Sequence, residues 1–206
     1  MVSDSLLRRF LVDEAGISLT EGLISLPIVM LAFAAFVEFG YAMVQWNQTV
    51  KALQYGARLA AVSDSVTTAF DAKAIAASGT GGLAIPPGAT YSCGPNLAGC
   101  NTAALNRIVY GSTGATTCQP LGTAGTRPAM CHLNPLIGKD NVVVTYQMSG
   151  LGYYGRPRGA VATIRMEVRN VRFNLPLLGG LLGLNTITIP PMPVTVTSED
   201  LSTSSS

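Results

Sequence analysis

The residues best suited to chemistry in this 206-residue chain are one histidine, four cysteines and two glutamates set in apolar surroundings. His132 is the only histidine and adjoins Cys131, which raises the question of a thiolate–imidazole nucleophile. Such pairs normally come from separate parts of a chain, and neighbours in an extended segment point to opposite sides. If Cys131 is oxidised, there is no nucleophile to activate. The cysteines at 93, 100, 118 and 131 are separated by six, seventeen and twelve residues, unlike the close C-x-x-C spacing of metal sites. An even count in loop-rich sequence beyond an apolar segment reads instead as two disulfides. Cys93 with Cys100 and Cys118 with Cys131 is the local pairing, one of three connectivities. No Walker loop, serine elbow or paired-carboxylate site stands out. The expectation is a chain that is not an enzyme and that uses no metal and no cofactor.

Glu21 and Glu38 are the only charges from Ile17 to Val44, in ISLTEGLISLPIVMLAFAAFVEFGYAMV. About 20 apolar residues suffice to span a bilayer. Between the two glutamates lie sixteen uncharged residues, Gly22 to Val37, which rise about 24 Å as a helix. That approaches the hydrocarbon thickness of about 30 Å, so each carboxylate can sit near an opposite interface. Glu38 would then face the headgroups or pair with a membrane partner. Arg8 and Arg9 before the span favour a cytoplasmic N-terminus, although Lys51 and Arg58 weaken the asymmetry. Tyr41 and Trp46 suit an interfacial aromatic belt at the exit. Pro27 lacks a donor and clashes with the carbonyl of Leu23, so it predicts a kink, which membrane helices tolerate.

The elements that would position these groups follow from periodicity. Val50, Leu53, Ala57, Ala60 and Ala61 recur at spacings of three and four, with Lys51, Gln54 and Arg58 on another face. The span therefore continues as an amphipathic helix to about Val62. Thr67 to Ser78 predicts a second short helix, stopped by Gly79, Gly81 and Gly82. Val142 to Ser149 and Val161 to Asn170 alternate as strands with one buried face each. Thr186 to Ile189 and Val194 to Thr197 read as a final strand pair, or as one strand broken at Pro190-Pro191. The fold class is then α+β, with one long helix on a three- or four-stranded antiparallel sheet. Leu175 to Leu184 (LPLLGGLLGL) is too short to span, and core packing is the simplest account of it. Tyr153, Tyr154, Arg156 and Arg158 predict a solvated hairpin loop, and Ser202 to Ser206 a frayed terminus.

Composition narrows the function classes. Thirteen basic and eleven acidic residues leave a net charge of +2, which offers no clustered basic face for nucleic acid. The organisation expected is a cytoplasmic leader over 1–16, a membrane helix over 17–45, a helical extension over 46–78 and a disulfide-containing, strand-rich exported domain over 79–206. Two accounts of the N-terminus compete. Ala32-Phe33-Ala34 has the A-x-A form of a secretory cleavage site, but the apolar run continues ten residues past Ala34. Alternatively, Gly16 closes a hydrophilic leader and is followed five positions later by Glu21.

The second arrangement resembles the class III signal of type IV pilins and pseudopilins, in which a prepilin peptidase cuts after glycine. The longer stretch DEAGISLTEGLISLPIVMLAFAAFVEFGYAM resembles the N-terminal signature of the TadE-like family of tight-adherence (Tad, or Flp) pilus assembly proteins. The matching residues are Asp13, Glu14, Gly16, Glu21, Leu26, Pro27, Glu38, Phe39 and Gly40, continued by Gly56, Ala57 and Arg58. Gly22 departs from the family, which more usually has an aromatic residue there. The resemblance implies a pilin-like α+β fold and cleavage between Gly16 and Ile17. It also implies pairing of Glu21 with the freed amine of a neighbouring subunit. Implied partners are the lipid bilayer, other pilin or pseudopilin subunits, inner-membrane pilus assembly proteins and the prepilin peptidase. The implied location is the bacterial inner membrane, N-terminus cytoplasmic and C-terminal domain periplasmic, with incorporation in the extracellular pilus left open. An unprocessed, membrane-anchored periplasmic scaffold of the same machine is the alternative. A signal-anchored periplasmic binding module or enzyme is the rival from another class.

Overall fold

A computed structural model describes residues 15–177, 179, 180, 183 and 186–198, with side chains from Thr20 onward. It divides into two compact units, one of residues 1–43 and 174–186, the other of residues 44–173 and 187–206. One helix, α1 (Ala15–Val62), runs through both and would be about 72 Å long over its 48 residues. The helix continues through Pro27 without interruption.

In the first unit α1 is bare. Eleven large apolar side chains from Leu23 to Phe39 are each between 48% and 76% exposed. The helix is long and apolar enough to cross a membrane. Within Thr20–Val44 the one buried residue is Glu38, flanked at helical spacing by half-buried Ala34 and Ala42.

In the second unit the same helix is a core element. Leu53, Ala57 and Ala60 are fully buried on the face that the periodicity predicted, and Ala52, outside that prediction, is fully buried as well. Close approach is what selects small residues here. A Cβ on Gly56 would run into the Met130 sulfur and come within 2.9 Å of that of Met166, so any side chain there would force the two methionines to shift. The opposing surface is a four-stranded, wholly antiparallel sheet of β1 (Thr90–Cys93), β2 (Val142–Gln147), β3 (Thr163–Val168) and β6 (Met192–Thr197) in that spatial order. Val144, Met166 and Val194 stand in one cross-strand row. Val142, Val144, Tyr146 and Met148 are buried, as are Ala162, Ile164, Met166 and Val168, which is the face the alternation assigned to the core. An aromatic group closes the sheet near the helix end. Phe70 stacks on Tyr146 with centroids 4.8 Å apart, and tilts against Tyr91 at 5.4 Å.

Several elements differ from the sequence expectation. The last strands do not pair with each other: β5 (Thr186–Thr188) pairs with β4 (Arg172–Asn174) in a separate ladder, while β6 joins β3. Pro190-Pro191 ends the one before the other begins, because proline cannot donate to a ladder. The second helix, α2 (Ala72–Ala77), is shorter than Thr67–Ser78, because Asp71 caps it by accepting the amides of Lys73 and Ala74 at 2.9 and 3.1 Å. The residues before it are instead held by Gly99, whose carbonyl accepts the Thr68 amide. The glycine-rich region also contains two helices, α3 (Thr102–Tyr110) and α4 (Met130–Leu133). The Tyr153–Tyr154 segment does lie in the loop that joins β2 to β3, with Tyr153 and Arg158 exposed, but Tyr154 is half-buried. Tyr154 exchanges backbone hydrogen bonds with Gly82 and Leu83, and its ring lies over Gly79. Arg156 there donates to the Gly159 carbonyl. Residues 1–14, among them Arg8, Arg9, Asp13 and Glu14, lie outside the described residues, as does the tail over 202–206.

Candidate functional site

The predicted site residues fall in three places. Gly16 and Ile17 lie in the first turn of α1, with side chains outside the described residues. Glu21 is exposed one turn further on. Glu21 and Glu38 are separated by about 26 Å of helix rise. They therefore act independently, one bare and one enclosed.

Glu38 is enclosed by its own chain. Both of its oxygens accept the backbone amide of Leu177, at 3.0 and 3.3 Å. Leu177 is the third residue of the apolar LPLLGGLLGL stretch, of which Leu178, Leu181, Leu182 and Leu184 lie outside the described residues. The carboxylate is 5% exposed although the leucine that binds it is 46% exposed. An enclosed carboxylate demands donors, and an amide from a chain segment without charges supplies one. Leu177 is thus tied to α1 by a polar contact on its backbone.

The cysteines and His132 form the second group. The disulfides are Cys93–Cys100 and Cys118–Cys131, the local pairing, and no described cysteine is free. Cys131 and His132 do not point apart as an extended segment would require, because both lie on helix α4, and the sulfur is 3.7 Å from Nδ1. That proximity builds no nucleophile, since the sulfur is bonded to Cys118. Both ring nitrogens are also engaged. Nδ1 accepts the Ala129 amide at 3.1 Å, so Nε2 carries the proton and donates to the Gln119 carbonyl at 2.8 Å. Sulfur and nitrogen atoms of Cys118, Cys131 and His132 lie within 4.8 Å of one another. With the two sulfurs joined, this group braces a loop: the disulfide and the imidazole tie residues 118 and 119 to α4.

A third arrangement was not visible in the sequence. Gln45, Thr49 and Asn134 are buried polar residues, at 4%, 0% and 1% exposure. Asn134 Nδ2 donates to Thr49 Oγ1 at 2.7 Å, and Thr49 donates to the Gln45 carbonyl at 2.8 Å. Asn134 Oδ1 accepts the Leu136 amide at 2.9 Å. The helical spacing of Gln45 and Thr49 places them on the face that becomes Ala52 and Gly56, so the register was legible but the partner 85 residues away was not. Elsewhere Glu167, expected on the outer face of β3, is 5% exposed because Arg165 and Arg169 fold over it and pair with it. Tyr146 is enclosed as well. Burial pushes its phenol above the ordinary value of 10.0, against the lowering effect of bonds from the Val66 amide, at 3.2 Å, and from Ser65.

No known protein family, no curated protein and no solved structure matches this chain.

Proposed function

We propose that this chain is a TadE-like minor pilin or pseudopilin that takes part in assembling a Tad-type pilus, with α1 held in the bacterial inner membrane. One observation carries the reading: a single unbroken helix is bare and apolar in its first half and core-packed in its second. Eleven half-exposed apolar side chains left in water would forfeit roughly 1 kcal/mol each. Their sum, on the order of 10 kcal/mol, is comparable with the whole stability of a domain. That half therefore requires lipid or neighbouring helices, and a pilin subunit meets both in turn. Two disulfides in the remainder suit a domain exported to an oxidising compartment.

In this reading the role is structural and involves no catalysis. Cleavage after Gly16 leaves Ile17 with an α-ammonium one helical turn from Glu21. That exposed carboxylate is then available to the amine of a neighbouring subunit, which offsets its cost in an apolar setting. Glu38 has a different task, because it is already occupied by Leu177 and holds that segment to the helix. Intact mass measurement of the protein from native membranes tests the reading. A mature chain beginning at Ile17 supports the pseudopilin, an intact Met1 supports the unprocessed scaffold, and a chain beginning at Ala35 defeats both.

A further inference from the structure

The charge distribution of the disulfide-bearing region is one-sided. From Ala72 to Lys139 the charged residues are Lys73, Arg107, Arg127 and Lys139, and no carboxylate occurs between Asp71 and Asp140. The segment therefore cannot neutralise its own arginines. Among the described residues Arg107 and Arg127 join no ion pair, whereas Arg165 and Arg169 share Glu167.

These two arginines, far apart in sequence, line one cleft of about 250 Å³ together with Gly111, Ser112, Thr113 and Gly125. Their juxtaposition is built into the backbone. Arg107 lies in the last turn of α3, and its carbonyl accepts the amide of Gly111, the left-handed cap at φ 88°. The Gly111 carbonyl in turn accepts the Arg127 amide at 3.0 Å. A Cβ on Gly111 would collide with the Arg127 carbonyl oxygen, so glycine is what lets the two strands of chain touch. The Cys118–Cys131 disulfide and the His132–Gln119 hydrogen bond close the loop that carries Arg127. Asn106 Nδ2 donates to the Thr113 carbonyl at 3.4 Å and fixes the hydroxyl side of the cleft.

Two arginines on one small cleft concentrate positive charge there, which a bound anion would offset. Their planar forks match the geometry of carboxylate and phosphate oxygens, and two hydroxyl groups beside them add further donors. We infer that the Arg107–Arg127 cleft binds the oxyanion of a small organic anion, a phosphate ester or a carboxylate. A cleft of about 250 Å³ has room for a small anionic group. The inference stands on the cleft alone and is independent of the membrane and pilus reading.

The test is calorimetric titration of the full chain in nanodiscs of zwitterionic lipid, which offer no competing anionic headgroup. Glucose 6-phosphate and glucuronate are the two probes, and glucose is the neutral control. Saturable binding of either charged sugar, absent for glucose, is expected, and the tighter of the two identifies the oxyanion. Arg107→Gln and Arg127→Gln should each weaken it at least about tenfold with unchanged thermal unfolding. Lys73→Gln, an exposed cation outside the cleft, should leave it unchanged. If the glutamine variants unfold, Arg107→Lys and Arg127→Lys keep the charge but lose the fork, and a weakening of several-fold is expected instead. Absence of saturable binding up to roughly 10 mM of both probes, or binding retained in the double glutamine variant, overturns the inference.

Discussion

The two halves of α1 are made from much the same residues and end in opposite conditions. Between Gly22 and Val44 the apolar side chains point in every direction, and Glu38 is the one side chain enclosed. Between Gln45 and Ala61 a single face carries Gln45, Thr49, Ala52, Leu53, Gly56, Ala57 and Ala60, and that face is buried. Spacing, not hydrophobicity, decides between them. An apolar residue at every position gives a helix that any apolar solvent can surround, whereas small residues at three- and four-residue intervals give a face that fits one particular sheet.

Perturbations that reach only the packed half should separate it from the bare one. The largest effect is expected from Cys118→Ser with Cys131→Ser, which frees a loop of sequence separation 13 and should cost the second unit about 3 kcal/mol. Near-ultraviolet circular dichroism during denaturation would record that loss. The fraction of protein retained in membranes should not change. Next comes Gly56→Ala, which forces a methyl group into Met130 and Met166 and should cost about 2 kcal/mol. The mirror substitutions Gly22→Ala and Gly40→Ala meet nothing within 4 Å. They should lie within about 1 kcal/mol of the parent, on the stabilising side, because alanine is the better helix former. Equal destabilisation at all three glycines would dissolve the contrast.

The one enclosed point of the bare half can be tested too. Glu38→Leu removes the acceptor of the Leu177 amide. Amide exchange at Leu177 should speed up by about tenfold or more, in line with the ~1.5 kcal/mol or more of a hydrogen bond to a charged group. Unchanged exchange there would mean that the apolar stretch is held by its side chains. The smallest effect concerns pH. Burial raises the Tyr146 phenol above its unfolded value, so the stability it confers is complete below about pH 10 and falls as pH rises through the folded value. The denaturation midpoint should drop above pH 10, and Tyr146→Phe should flatten that part of the drop.

The long helix and strands β2 and β3 were legible because each is governed by a local period that the sequence states openly. The local disulfide pairing also agreed with the structure, short loops leaving little else within reach. Strand β1 was not legible: four residues, Thr90–Cys93, in a glycine- and proline-rich context offer no alternation to count. Helix α3 did carry signals, Asn101 as cap, apolar Leu105, Ile108 and Val109 at helical spacing, and Gly111 as stop. The surrounding glycines and prolines concealed them. The pairing of β6 with β3 and the contact of Glu38 with Leu177, 139 residues apart, depend on where distant segments meet. No window of sequence contains that information. The convergence of Arg107 and Arg127 belongs to the same class, although the absence of carboxylates around them was countable from the start.

The account depends most directly on the bare half of α1 being surrounded by lipid. Alkaline carbonate extraction of native membranes measures this, since it strips peripheral proteins and leaves spanning helices behind. The account predicts that the protein stays in the membrane pellet. It further predicts that replacing Leu31 and Phe33 by Asp releases the chain with its second unit still folded. Recovery of the unmodified chain in the carbonate supernatant would contradict it.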